Sequence, residues 1–198
     1  MNDENEQVEI KKEKSNFWKE ILKLLIIALL VVVPFRLYIA QPFIVDGASM
    51  DPTFETSQYL IVDQLTYHFR TPLRGSVIIF KYPKDEKKFF IKRIIGLPGE
   101  TVTINDGNVS IKSPNTETFI ALDEPYVQFT KRDNMSLTLG SDEYFVMGDN
   151  RFGSADSRLW GPMPKKDIIG RPILRVWPPA VWPGDKTELF QPQNVQAN

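Results

Sequence analysis

Two side chains in this sequence carry the chemistry of a hydrolase that needs no histidine. One is Ser49, in Asp46-Gly47-Ala48-Ser49-Met50-Asp51-Pro52-Thr53; the other is Lys92, in Phe89-Phe90-Ile91-Lys92-Arg93-Ile94-Ile95. A serine hydroxyl becomes a useful nucleophile only beside a base. The usual imidazole has a single candidate, His68, and its setting in Thr66-Tyr67-His68-Phe69-Arg70, just before Thr71-Pro72, reads as a strand end running into a turn. With one histidine and no cysteine, zinc sites of clustered His and Cys are excluded. No calcium-loop spacing appears, so neither a metal nor a cofactor is expected.

An amine can take a proton only when neutral, and a lysine in water holds its charge up to about pH 10.4. Desolvation lowers that value. Strand periodicity puts Phe90, Lys92 and Ile94 on one face and Phe89, Ile91, Arg93 and Ile95 on the other, so both cations have apolar neighbours. Arginine does not deprotonate in proteins, which leaves Lys92 as the possible base. A lysine snorkelling from a strand edge fits the same pattern. Around Ser49, glycine and proline flank a short turn that can present a hydroxyl and aim a backbone N–H, the parts of an oxyanion site; an ordinary loop serine fits as well. A third segment, Gly148 to Gly161, is dense in small, turn-forming and oppositely charged residues. Asp149, Asp156, Arg151 and Arg158 are candidates there for buried ion pairs, costly to break singly, or for exposed pairs on a solvated loop.

The elements that position these groups lie beyond a long apolar stretch. From Phe17 to Phe43 the chain is mostly apolar, unbroken from Leu24 to Phe35 and bracketed by Lys23 and Arg36. A spanning helix takes roughly 20 apolar residues, so an anchor over 17–40 requires Lys23 and Arg36 to snorkel and Trp18 and Tyr38 to sit at the interfaces. A cleaved signal peptide is the competing reading, but Tyr38 is bulky where a small residue is needed before a cut after Ala40. Lys11, Lys12, Lys14, Lys19 and Lys23 precede the span, which keeps the N-terminus cytoplasmic and the rest on the outer face. Residues 1–16 read as a disordered tail.

After the anchor come short runs rich in Val, Ile, Phe and Tyr between Gly, Pro, Asn and Asp. The expected strands are 43–45, 59–62, 76–82, 89–95, 101–104, 108–112, 144–147 and 173–177, with a hairpin turn at Asn105-Asp106-Gly107-Asn108 and no amphipathic helix. The fold class is mainly β, an antiparallel catalytic domain over 41–183 with a β-rich cap insertion over 101–143. Residues 184–198 form a mobile tail. Trp177 and Trp182 suit either lipid contact or burial.

Composition narrows the partners. The 198 residues are 42% hydrophobic and 25% charged, enough for one well-buried domain. A net charge of -1 supplies no basic field for phosphates, so nucleic acid is not an expected partner.

Taken together, the three segments resemble the bacterial type I signal peptidases, membrane-anchored serine proteases that remove signal peptides from exported proteins. Ser49-Met50-Asp51-Pro52-Thr53 looks like the nucleophile box, Ser-Met-x-Pro-Thr. Lys92-Arg93 with Gly96-Leu97-Pro98-Gly99-Glu100 resembles the general-base box, and Gly148-Asp149-Asn150-Arg151, Ser154 and Asp156-Ser157-Arg158 resemble the last box. The resemblance implies Ser49 as nucleophile, Lys92 as base and Ser154 as the residue that orients the lysine, with Asp149, Asn150, Arg151, Asp156 and Arg158 as structural support. It implies cleavage after Ala-x-Ala, a substrate added as a strand, pocket walls at Phe43, Val45 and Ile91, and exported preproteins and the lipid bilayer of the cell membrane as partners. Two positions depart from the family. Gly47 stands where some members carry a serine oxyanion donor, and Ser76 stands where Asp is usual. A self-cleaving Ser-Lys protease of the SOS-repressor type shares the chemistry, but Leu24 to Phe35 occupies the place of its DNA-binding domain. An inactive membrane-bound subunit is the other rival; the presence of both Ser49 and Lys92 speaks against it.

Overall fold

A computed structural model describes residues 2–34 and 41–177. The expected anchor residues 35–40, with Arg36 and Tyr38, lie outside this range, as do Trp182 and the tail 184–198. The chain divides after Ala40 into two compact units. The first contains α1 (Asn2–Pro34), which runs through the residues expected to form a flexible tail. Residues 2–16 hold no Gly or Pro and are mostly good helix formers, so nothing local stops a helix continuous with the apolar run. Leu24, Leu25, Leu29 and Leu30 are exposed along α1. Among the described residues no helix is long and apolar enough to cross a membrane.

The second unit is built of antiparallel strands. Its larger sheet has seven: β1 (Gln41–Ile44), β2 (Tyr59–Asp63), β3 (Val77–Tyr82), β4 (Asp85–Gly96), β9 (Glu143–Met147), β10 (Met163–Pro164) and β11 (Ile168–Trp177), in the order β1-β2-β11-β3-β4-β9-β10. β3 and β4 pair in register from Val77 opposite Arg93 to Lys81 opposite Phe89. β4 is longer than the run 89–95 because the charged residues from Asp85 close the hairpin against Tyr82. β11 likewise begins at Ile168, before the expected 173.

A smaller sheet, in the order β7-β6-β5-β8, joins β5 (Thr101–Asn105), β6 (Asn108–Lys112), β7 (Ile120–Ala121) and β8 (Met135–Thr138). β5 and β6 meet at a turn in which Asp106 and Gly107 both have positive φ, the requirement of a tight two-residue hairpin. β7 and β8, like β10 of the larger sheet, are short and were not expected. Among the described residues two α-helices of four residues, α2 (Thr66–Phe69) and α3 (Ser157–Trp160), and a three-residue 3-10 helix at Lys165–Asp167 complete the unit. His68 is therefore in α2 rather than at a strand end: Asp63 accepts from the Leu65 and Thr66 N–H groups and starts the turn. The His68 ring is exposed and contacts the Gln64 carbonyl, away from any catalytic part.

Alternation along the strands divides the apolar residues among three cores. Ile78, Phe80, Ile94, Tyr144 and Val146 pack within the large sheet; Val102, Ile104, Val109 and Ile111 pack with Ile95 and Phe145 beneath the small one. A third cluster, Val45, Met50, Phe54, Leu60 and Val77 with Ile91 against it, underlies the turn that carries Ser49. Burying a Leu-, Phe- or Met-sized side chain contributes about 1.5–3 kcal/mol, so Met50 and Phe54 hold this turn down on both sides of its cis Asp51–Pro52 bond.

Candidate active site

β4 brings Lys92 up from the large sheet, and the turn after β1 brings Ser49 to meet it. Lys92 Nζ donates to Ser49 Oγ at 2.6 Å and to the Ile91 carbonyl at 2.9 Å. Lys92 is 4% exposed, and its ammonium lies 5.3 Å from the centre of the Phe90 ring. Burial lowers its pKa from the ordinary 10.5 to about 8, against the pull of the Asp156 and Asp149 carboxylates, which favour the charged form. Once the amine is neutral, the same 2.6 Å contact reverses and the hydroxyl donates to its lone pair.

The segment after β9 locks the Ser49 turn in place. Asn150 N–H donates to the Ser49 carbonyl at 3.1 Å, and Asn150 Nδ2 donates to the Ala48 carbonyl at 3.0 Å. Gly148 admits this approach: a Cβ there would stand 2.3 Å from both the Ser49 carbonyl oxygen and Ser154 Oγ. The Ser49 N–H itself is taken up by no hydrogen bond among the described residues. It remains available to an incoming oxyanion. Gly47 N–H, by contrast, donates to Thr56 Oγ1 at 3.1 Å.

Ion pairing around the site is only partly internal to the segment 148–161. Asp156 pairs with Arg158 at 2.8 Å. Burial pushes the Asp156 carboxyl up, but hydrogen bonds from Arg158 and its charge, with Ser154 and the Gly148 N–H, more than reverse this and hold it below the carboxylate range. Asp149 instead takes a two-point contact from Arg93, at 2.8 and 2.6 Å, and Thr53 Oγ1 donates to it at 2.6 Å. Arg151 pairs with Glu124. Thr53, Glu124 and Asp133, which pairs with Arg158 at 2.7 Å, were not singled out from the sequence. Nothing in local spacing marks partners that sit 25 or more positions away.

Ser154 is buried beside Gly148 and Asp156, and its hydroxyl makes no hydrogen bond of normal geometry. The expected bond to Lys92 is not formed, because the amine is directed to Ser49 and Ile91. Phe43, Val45 and Ile91 line one cavity of about 260 Å³ together with Ser49 and Lys92. Gly153 and Ala155, either side of Ser154, also line it, and Phe43 meets Phe89 edge-on with centroids 5.6 Å apart. Among the described residues no three His, Cys, Asp or Glu side chains gather as a metal site would need.

A serine against a buried amine, at the floor of a small apolar cleft in a β-sheet protein, is the equipment of a serine hydrolase. The family model of signal peptidase, peptidase S26, matches residues 18–177. The chain is 34% identical over 178 residues to the probable signal peptidase I-2 of Synechocystis, covering 85% of this chain and 78% of that one. It is 35% identical over 182 residues to signal peptidase I P of Bacillus subtilis subsp. natto, covering 85% and 93%. A solved signal peptidase I from Enterococcus faecalis matches at a TM-score of 0.42 and 30% identity, over 52% of this chain and 97% of that one. The chain belongs to the signal peptidase family, peptidase S26. It is a serine endopeptidase that removes signal peptides from preproteins.

Proposed function

We propose that the reaction runs on Ser49 and Lys92 alone as proton-transfer partners. Neutral Lys92 Nζ takes the Ser49 proton while Oγ attacks the scissile carbonyl carbon. The oxyanion that forms meets the Ser49 N–H. Collapse breaks the C–N bond, the departing amine receives the proton from Lys92, and an ester to Ser49 remains. Water then gives a proton to Lys92 as its oxygen adds to the ester carbonyl; collapse breaks the C–O bond to Ser49, whose oxygen takes the proton back from Lys92, and the signal peptide leaves as a carboxylic acid that loses its proton to solvent. The 2.6 Å contact between the two side chains carries this reading.

Phe43, Val45 and Ile91, among the walls of the cavity beside Ser49 and Lys92, are assigned to take the small side chains of Ala-x-Ala. An extended segment entering it gains register from main-chain bonds, and its alternate side chains enter the apolar walls. Asp149, Asn150, Arg151, Asp156 and Arg158 support the Ser49 turn and the lysine. Ser154, with a buried hydroxyl beside Asp156 and Gly148, is assigned the orienting role once substrate enters. α1 with the apolar residues that follow it is assigned as a single cytoplasmic-to-outer anchor in the cell membrane. Resistance of the full chain to extraction by alkaline carbonate supports that assignment, and release into the wash rejects it.

Purified protein incubated with a preprotein tests the dyad. Wild type is expected to cut once, after Ala-x-Ala, and Ser49→Ala not at all; equal cleavage by both rejects it.

A further inference from the structure

Between β7 and β8 an irregular segment, 122–133, reaches from the small sheet to the arginines around the site. Glu124 accepts from Arg151, whose side chain is 2% exposed. Tyr126 donates from its hydroxyl to the same carboxylate oxygen at 2.9 Å, and its ring lies 3.9 Å from the Arg93 guanidinium carbon. Burial, with Glu124 beside it, pushes the Tyr126 hydroxyl above its ordinary value, so it stays a donor. Asp133 accepts from Arg158 at 2.7 Å. Three arginines of the site thus each find a partner on one segment.

Those arginines in turn hold the groups that fix Ser49. Arg93 grips Asp149, which receives the Thr53 hydroxyl from the Ser49 turn. Arg151 donates to the Gly148 carbonyl at 3.2 Å, and Arg158 donates to the Arg151 carbonyl at 2.8 Å. The next residue in line, Asn150, bonds the Ser49 carbonyl directly. Glu124, Tyr126 and Asp133 do not line the cleft themselves.

Buried ion pairs contribute little net stability, since desolvation offsets their attraction. What a two-point or shared-carboxylate contact does supply is geometry. Mere attachment of the small sheet is already provided by its apolar core, where Val102 and Ile111 pack with Ile95 and Phe145.

We propose that the segment 122–133 is a positioning strap for the reaction, with Glu124 and Tyr126 setting the place of Ser49 against Lys92 through Arg151, Arg93 and Asp149. The proposal rests on the dyad reading above. Glu124 and Tyr126 are positioning residues, acting through others.

The test uses the full chain, a preprotein substrate, and a count of competent sites from the burst of a serine-acylating reagent. Glu124→Gln keeps the shape and removes the charge; Tyr126→Phe removes only the hydroxyl and guards against loss of folding in the first. Each is expected to lower kcat per competent site by about 10-fold, as a small misplacement of reacting groups does, with KM within about twofold; Tyr126→Phe keeps the unfolding midpoint nearly unchanged, whereas Glu124→Gln, which leaves the buried Arg151 charge unpaired, lowers it. The double variant is expected to lose less than the product of the two, because both residues act on one chain of contacts. Unchanged kcat per competent site in the folded variants, including the case where only the number of competent sites falls, overturns the strap. Ser49→Ala runs alongside: its inactivity with unaffected strap variants rejects the strap alone, whereas its activity removes the dyad beneath it.

Discussion

Lys92 and Ser49 stand 43 positions apart in sequence and 2.6 Å apart in space, and the lysine's other hydrogen bond goes to the carbonyl of its own neighbour, Ile91. Neither bond is to a carboxylate. Burial therefore governs the amine, and with a pKa of about 8 roughly one molecule in ten is neutral at pH 7, against about three in ten thousand at the ordinary 10.5. Its surroundings alone raise the neutral fraction of this amine some hundreds-fold.

That gain has a cost in folding that can be measured. The unfolded chain holds the Lys92 proton up to about 10.5 and the folded chain only to about 8, so below pH 8 this group opposes folding by about 3 kcal/mol. Between the two values the unfolded state binds more protons, and the penalty fades as pH rises. In urea unfolding, the stability of Lys92→Met is expected to exceed that of wild type at pH 7 and to lose this advantage by about pH 10.5. A difference that stays flat across that window contradicts the desolvation.

Arg93 and Asp149 form the most deeply buried ion pair around the site, with side chains 2% and 1% exposed. Removing one partner leaves an uncompensated charge, so Asp149→Ala is expected to lower stability by about 3–5 kcal/mol. Replacing both residues by apolar ones of similar volume is expected to cost much less. Urea unfolding of the single and double variants checks this, and equal losses would mean that burial of the lone charge is not the cause.

Gly148 has no room for a methyl group, which would stand 2.3 Å from the Ser49 carbonyl oxygen. Gly148→Ala must push the Ser49 turn or Ser154 aside. A displacement near 1 Å is worth about 100-fold in rate, so kcat is expected to fall by about that factor while the protein still folds. Wild-type kcat in Gly148→Ala would show that the turn's position is not critical.

Much of this could be seen in the sequence because it is local. Alternation marked the strand that carries Lys92, the Asn105–Asn108 turn announced its hairpin, and the expected mainly antiparallel β class agrees with the sheets. Long-range pairing could not be seen. Asp149 looks as ready to pair with Arg151 or Arg158 as with Arg93, and only the β4–β9 register, which sets Arg93 opposite Met147, decides the matter. β8 escaped notice because a four-residue strand in a polar stretch becomes a strand only when β5 lies beside it. Glu124 and Tyr126 appeared to belong to a remote insertion; the fold returns them to the arginines of the site.

The pH dependence of kcat/KM for preprotein cleavage tests the central claim most directly, because in the free enzyme it reports the pKa of the base. Activity is expected to rise about tenfold per pH unit on the acid side and to level off above an apparent pKa of about 8. A rate that stays constant from about pH 9 down to about pH 6 would contradict proton transfer to Lys92.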